Sequence, residues 1–227
     1  MPKITLLLAD DHNVVRSGLR ALLGSDPDFE IVGEAGSGRE AITLAQQLKP
    51  DVVVMDLAMP LLNGMEATRQ ITAECPNTKV IVLSAYDDDP HVEQALAMDA
   101  AGYLLKHTAA SDLIRAVREV YAGNAYFSPA IAERLREKRC AQIESPRPPA
   151  ERAPRLSVRE AEVLQLVAEG YPNKQIADEL RLSVKTVEKH RQSLMSKLKL
   201  HCIADLVHYA AAHGTIEMKP VASILKS

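Results

Sequence analysis

One stretch narrows the options for this chain more than any other: Asp51-Val-Val-Val-Met-Asp56-Leu-Ala-Met-Pro60-Leu-Leu-Asn63-Gly64. The run from Val52 to Met55 is apolar at every position, so it reads as a strand covered on both faces within a parallel sheet. It ends on a carboxylate, Asp56, and a loop with Pro60 and an Asn-Gly pair follows. In open α/β sheets, ligands bind at the carboxyl ends of the strands. An acid at the end of a central strand therefore stands where chemistry takes place. Taken alone, the same acid could equally terminate a strand or cap the next helix.

The neighbouring segments repeat the pattern. Residues 4–9 read as a first buried strand, and Val14, Leu19, Leu22 and Leu23 follow at helical spacing. Residues 29–32 read as a second strand, and Ala41, Leu44, Ala45 and Leu48 form the stripe of a helix that Pro50 ends. After Asp56 comes a helix at 65–73, a strand at 79–84, a helix at 92–98, a strand at 102–106 and a helix at 110–121. Strands alternating with helices at this spacing predict an α/β fold, a doubly wound, five-stranded parallel (βα)5 sheet over residues 3–121.

Beyond it the pattern changes. Residues 122–155 read as a linker, with a charged helix at 129–142 and four prolines between Glu144 and Pro154 that preclude regular structure. From residue 156 to 213 every pattern is helical, which gives a second, smaller all-α domain. Ser157 caps a helix, with Glu160 completing a capping box. Ile176, Ala177 and Leu180 mark a second helix, Ser183 caps a third over 184–198, and 204–212 make a fourth. The second and third, joined by Arg181-Leu182-Ser183, form a helix-turn-helix. Residues 214–227 read as a loosely ordered tail.

Charge separates the two halves. Residues 1–121 hold 10 Lys and Arg against 18 Asp and Glu. Between Arg181 and Lys199, by contrast, Lys185, Lys189, Arg191 and Lys197 join those two against the single acid Glu188. Such a local basic run is a candidate footprint for a phosphate backbone. Cys75, Cys140 and Cys202 are too far apart for a disulfide framework or a metal spacing, which favours a reducing, cytoplasmic setting. No apolar stretch approaches about 20 residues, so no membrane span is expected.

In a doubly wound sheet the C-terminal strand ends converge. Here they bring Asp10 and Asp11, Asp56, Ser84 and Lys106 to one crevice. Three carboxylates cannot share a small site without a cation, and hard oxygen ligands select Mg²⁺. Lys106 adds a mobile positive charge and Ser84 a hydroxyl able to bond a phosphoryl oxygen. This set suits transfer of a phosphoryl group onto a carboxylate. Singly the residues say little: Tyr103 is an ordinary half-buried strand aromatic, Ser84 a strand end, and Asp87-Asp88-Asp89 a solvated helix start.

Together, Asp10-Asp11, Asp56 with its Met59-Pro60 pair, Ser84, Tyr103 and Lys106 resemble the receiver domain of two-component response regulators. The resemblance implies that Asp56 is the phosphoacceptor and Lys106 the phosphoryl partner. It implies Ser84 and Tyr103 as the switch pair. Asp11 and Asp56 would bind Mg²⁺ directly and Asp10 mainly through water, with the backbone carbonyl of Ala58 as a further ligand. Many receivers carry proline after the lysine, where His107 stands here.

Residues 156–213 resemble the LuxR-type helix-turn-helix through Leu156-Ser-Val-Arg-Glu, Asn173-Lys174, Ile176-Ala177, Thr186-Val187, His190 and Lys197-Leu198. The combination is similar to the NarL/FixJ family of transcriptional regulators. It implies a histidine kinase as phosphodonor, double-stranded DNA as ligand, a homodimer paired through 204–212, and RNA polymerase as a further candidate partner. Glu188, Lys189 and Gln192 would read bases, with Lys185 on the same face. Lys174, Thr186 and His190 would position the phosphate backbone. Pro172 replaces the usual hydroxyl cap of the second helix. Two rival classes differ in what they need. A phosphatase using Asp56 as nucleophile needs an acid two residues on, where Ala58 stands, so the chain is not expected to be an enzyme. A constitutive DNA-binding protein would not need the acids and Lys106.

Overall fold

A computed structural model describes residues 2–85, 92, 98–107, 110–129, 131–133 and 156–212. The chain divides into two units, Met1–Ala153 and Pro154–Ser227.

Six strands form the sheet of the first unit: β1 (Ile4–Ala9), β2 (Phe29–Ala35), β3 (Val52–Asp56), β4 (Lys79–Ser84), β5 (Gly102–Leu105) and β6 (Tyr126–Phe127). Their order is β2-β1-β3-β4-β5-β6, and every pairing is parallel. The described helices are α1 (Asn13–Gly24), α2 (Gly38–Leu48), α3 (Gly64–Glu74) and α4 (Ala110–Tyr121). The order reverses between β1 and β3, which opens a crevice at their carboxyl ends. All five residues of β3 are buried, as a strand covered on both faces requires.

Alternation along the strands divides the core. Leu6, Leu8, Val52, Val54, Ile81, Leu83 and Leu104 pack with Leu23 of α1 and with Leu113, Val117 and Val120 of α4. Leu7, Ala9, Val53, Met55 and Val80 face the other way, onto Ala41 and Ala45 of α2 and Ala67 and Ile71 of α3. A third cluster gathers Val82, Tyr103 and Leu105 with Leu57, Met65 and Ile131.

The sheet thus has one strand more than the five expected. Two residues carry no alternation to read, and β6 exists only because β5 offers an edge to pair with. Val14 also departs from expectation. Its spacing places it in the apolar stripe of α1, yet it is 86% exposed, at the first turn and ahead of the packed residues Leu19, Leu22 and Leu23. Most of the expected helix at 92–98, most of that at 129–142, the proline-rich stretch, Asp87-Asp88-Asp89, Cys140 and the tail lie outside the described residues.

In the second unit, α5 (Val158–Ala168), α6 (Asn173–Leu180), α7 (Val184–Leu198) and α8 (Ile203–Ala212) enclose a core that includes Leu164, Leu166, Ile176, Val187, Leu194 and Leu206. Ser157 and Glu160 form the expected capping box. Ser183 caps α7 through the Thr186 N–H, whereas Pro172 leaves α6 without a side-chain cap. No helix among the described residues is long and apolar enough to cross a membrane.

The Asn63-Gly64 pair sets the loop after β3. Asn63 accepts from the Glu66 N–H and caps α3. Gly64 returns the chain onto β3 so closely that a Cβ there would lie 1.7 Å from the carbonyl oxygen of Asp56. That neighbour is backbone at the end of a buried strand and cannot yield without moving Asp56. Gly64→Ala should therefore cost about 1–3 kcal/mol or more, as overpacking does. Urea unfolding of parent and variant measures it, and an unchanged midpoint would contradict the close approach.

Candidate functional site

Strand register assembles the crevice. Ala9 pairs with Met55, so Asp10 emerges from β1 beside Asp56 at the end of β3. Ser84 pairs with Leu105, which puts Lys106 just beyond β5. The Lys106 N–H donates to the Ser84 carbonyl at 2.7 Å and fixes that exit. Lys106 Nζ then lies 2.8 Å from Asp56 Oδ2 and 2.9 Å from Asp10 Oδ2.

Asp10 is 1% exposed and Asp56 3%, while Asp11 and Lys106 are half-buried at the mouth. Candidate ligand atoms of Asp10, Asp11, His12 and Asp56 all lie within 4.8 Å of one another. Despite the closeness of Lys106, Asp10 Oδ2 and Asp56 Oδ2 receive no well-directed hydrogen bond; nor does Asp11 Oδ1. Buried carboxylate oxygens short of donors fit a divalent cation.

Burial is the main reason the Asp56 carboxyl rises from 3.8 to about 6. The Lys106 ammonium and the Ala58 N–H pull it down, and the charge of Asp10 adds to the rise. Burial also works against the Lys106 charge, but Asp56 and Asp10 outweigh it and hold the amine above its ordinary value. Ser84 and Tyr103 are both fully buried, Ser84 at the end of β4 and Tyr103 on β5 opposite Val82. Ala58 sits in the loop directly after β3.

On the second unit, Lys185, Glu188, Lys189 and Gln192 are exposed along α7, on the side opposite buried Val187 and Leu194. Lys174 is exposed at the start of α6, and Thr186 and His190 are half-buried. Glu188 and Gln192 line an open cleft of about 430 Å³ with Asn173, Arg191, Met195 and Ser196.

Residues 6–118 match the family described as the response regulator receiver domain. Residues 154–210 match the bacterial regulatory proteins of the luxR family. The response regulator protein VraR of Staphylococcus epidermidis is 38% identical over 214 residues, covering 94% of this chain and 99% of VraR. The chain is a response regulator of the NarL/FixJ type. Among solved structures, RcsB of Salmonella typhimurium is similar with a TM-score of 0.58 at 30% identity, over 94% of this chain and 99% of RcsB. An RcsB–DNA complex gives a TM-score of 0.57 at 29% identity, over 92% and 98%.

Two residues of this response regulator have a larger place in the structure than the sequence suggested. His12, with no motif of its own, directly follows the acid pair, and its Nδ1 lies 2.8 Å from Asp11 Oδ1. The capping-box spacing shows Glu160 only as a cap. It is 3% exposed and also takes Lys197 Nζ at 2.7 Å and Ser193 Oγ at 2.8 Å, both from α7. Burial alone would raise its carboxyl, but Lys197 and the serine bonds hold it down at about 2. Lys197 therefore spends its charge on α5, and the basic run along α7 presents less to a ligand than its composition suggests.

The two carboxyls give opposite pH behaviour. The folded receiver keeps the Asp56 proton up to about pH 6, whereas the unfolded chain releases it near 3.8. Stability falls as pH rises through that window, by about 3 kcal/mol for a rise of that size. Asp56→Asn removes the effect, so metal-free variant should gain on metal-free parent between pH 4 and 7 in urea unfolding. Parallel pH profiles would contradict it.

For Glu160 the stabilisation is complete above its unfolded value near 4.5 and fades as pH falls towards 2. Glu160→Gln should cost about 2–4 kcal/mol at pH 7 and progressively less below pH 4.5. The helical unfolding transition of the full chain reports it, and a cost constant with pH would exclude the ion pair as its source.

Proposed function

We propose that this response regulator takes a phosphoryl group onto Asp56 from a histidine kinase and thereby changes its sequence-specific binding to duplex DNA, controlling transcription. The observation that carries the reading is the meeting of Asp10, Asp11, Asp56 and Lys106 in one cleft at the sheet's carboxyl edge. In the transfer, an Asp56 carboxylate oxygen attacks phosphorus. The bond from phosphorus to the donor nitrogen breaks as the bond to Oδ forms. Lys106, already beside Asp56, neutralises charge on the phosphoryl oxygens, and the buried Ser84 hydroxyl takes one of them. Mg²⁺ suits the all-oxygen set of Asp11, Asp56, Asp10 and the Ala58 carbonyl, and when bound it supplies further charge neutralisation. Acceptance of the group, not turnover of a substrate, is the role we assign, so the chain acts as a regulator and not as an enzyme.

The acyl phosphate carries a charge of about −2 where the Asp56 carboxylate carried −1, in a cleft that also holds Asp10 and Asp11. Tyr103 and Ser84 are the groups placed to respond. On the helical unit, exposed Glu188, Lys189 and Gln192, with Lys185 beside them, fit base edges in a major groove. Lys174, Thr186 and His190 fit the phosphates that set register. The likeness to RcsB, solved in complex with DNA, supports this orientation. Pairing of two copies through α8 would match a two-fold operator, and contact with RNA polymerase would follow at the promoter.

Incubation with labelled acetyl phosphate, followed by titration onto selected operators, tests both halves. Asp56→Asn should abolish uptake and the phosphodonor-dependent change in DNA affinity. Glu188→Ala should relax base preference, while Lys174→Ala weakens all sites alike and lowers the salt slope by about 1. Undiminished labelling of Asp56→Asn would defeat the assignment.

A further inference from the structure

The segment that leaves the receiver towards the DNA-binding unit does not simply depart from α4. It returns to the sheet as β6 and lies against the strand that carries Tyr103. Tyr126 pairs with Gly102 and Phe127 with Tyr103. The Tyr126 N–H donates to the Ala101 carbonyl at 3.0 Å, and the Ser128 N–H donates to the carbonyl of Tyr103 itself at 3.0 Å. The approach is close enough to need a glycine: a Cβ on Gly102 would lie 2.9 Å from the Tyr126 carbonyl oxygen. Arg115 of α4 sits over the Tyr126 ring, 6.0 Å from its centroid.

A helical turn then opens at Ser128, whose carbonyl accepts from the Ala132 N–H at 2.9 Å. That turn delivers Ile131 into the sheet's third core cluster, where it is 0% exposed. Its companions there are Tyr103, Val82, Leu105, Leu57 and Met65, with Phe127 packed against them. Leu57 is the residue after Asp56, and Met65 follows Gly64. One packed cluster therefore includes the neighbour of the phosphoacceptor, the buried tyrosine and the first turn of the segment leading to the second unit. Packed cores are bistable and do not deform continuously, so a ring that leaves this cluster bears on the packing of Ile131.

We infer that Ile131 is a positioning residue: by packing on Tyr103 it holds the ring buried, and residues 126–133 are in turn the element that follows that ring when it moves. This deepens the proposed function, on which it rests, by naming the part of the chain through which events at Asp56 pass towards the DNA-binding unit. The coupling is reciprocal, as any linkage between two packed groups must be. Weakening the hold of Ile131 exposes Tyr103, and removing the Tyr103 ring loosens 126–133.

Full-length protein labelled with 3-fluorotyrosine gives the first readout, with the Tyr103 fluorine signal assigned by its loss in Tyr103→Phe. In the parent that signal should show no solvent isotope shift. In Ile131→Ala it should acquire one, and Ile131→Val should restore most of the parent behaviour. The second readout is amide hydrogen exchange, where Tyr103→Ala should speed exchange across 126–133 by about tenfold or more while β1 and β3 stay protected. An unchanged Tyr103 signal in Ile131→Ala, or unchanged exchange across 126–133 in Tyr103→Ala, overturns the inference. If Ile131→Ala does not fold, the exchange result decides alone. Uptake of acetyl phosphate by the parent is measured separately. Its absence would sink the functional reading while leaving the packing link to be judged by these two readouts.

Discussion

The receiver depends on one arrangement: a lysine ammonium held between two buried carboxylates, Asp10 and Asp56. Asp10 and Asp56 are almost wholly removed from water, and Lys106 stands within 3 Å of both. Such a set is costly to build, because desolvation of each ion opposes the attraction between them. The same desolvation raises the Asp56 carboxyl in spite of Lys106. A cleft that gathers Asp10, Asp11 and Asp56 around one lysine has the oxygen-rich character that fits a divalent cation. The rest of the α/β unit exists to hold these three side chains together. Parallel register, the apolar β3 and the glycine that folds back over Asp56 all serve that end.

A second buried ion pair organises the helical unit by different means. Glu160 starts as a helix cap, satisfying orphan N–H groups at the head of α5. The same carboxylate then reaches Ser193 and Lys197, so the helix that carries exposed Lys185, Glu188, Lys189 and Gln192 is tied to the scaffold at its far end. Here the carboxylate is fully partnered and its carboxyl is held low, the reverse of Asp56. The contrast separates two settings of a buried acid: one held low by its partners, one raised by burial despite its lysine.

Much of this was legible in the linear chain. The alternation of apolar runs with helical stripes gave the parallel doubly wound sheet, because burial on both faces leaves no polar position within a strand such as β3. The capping signals at Ser157 and Ser183 marked helix starts, because a hydroxyl at that position satisfies local N–H groups whatever surrounds it. Other features left no local trace. β6 is too short for periodicity, and Val14 has the right spacing for a core that does not extend to it. Val184 likewise belongs to the apolar stripe of α7 by spacing and remains exposed at its first turn. Periodicity records which face of a helix points inward but not how far the neighbouring layer reaches.

The sequence by itself determined the two-unit organisation, the strand ends that carry acids, and the residues facing outward along α7, since each follows from local spacing and side-chain chemistry. The tertiary structure alone decided which charges meet. Lys106 could have faced solvent, Lys197 could have joined the basic face, and Ile131 could have begun a free linker. Each was settled by packing between segments distant along the chain, where desolvation and close contact act only once the elements are brought together.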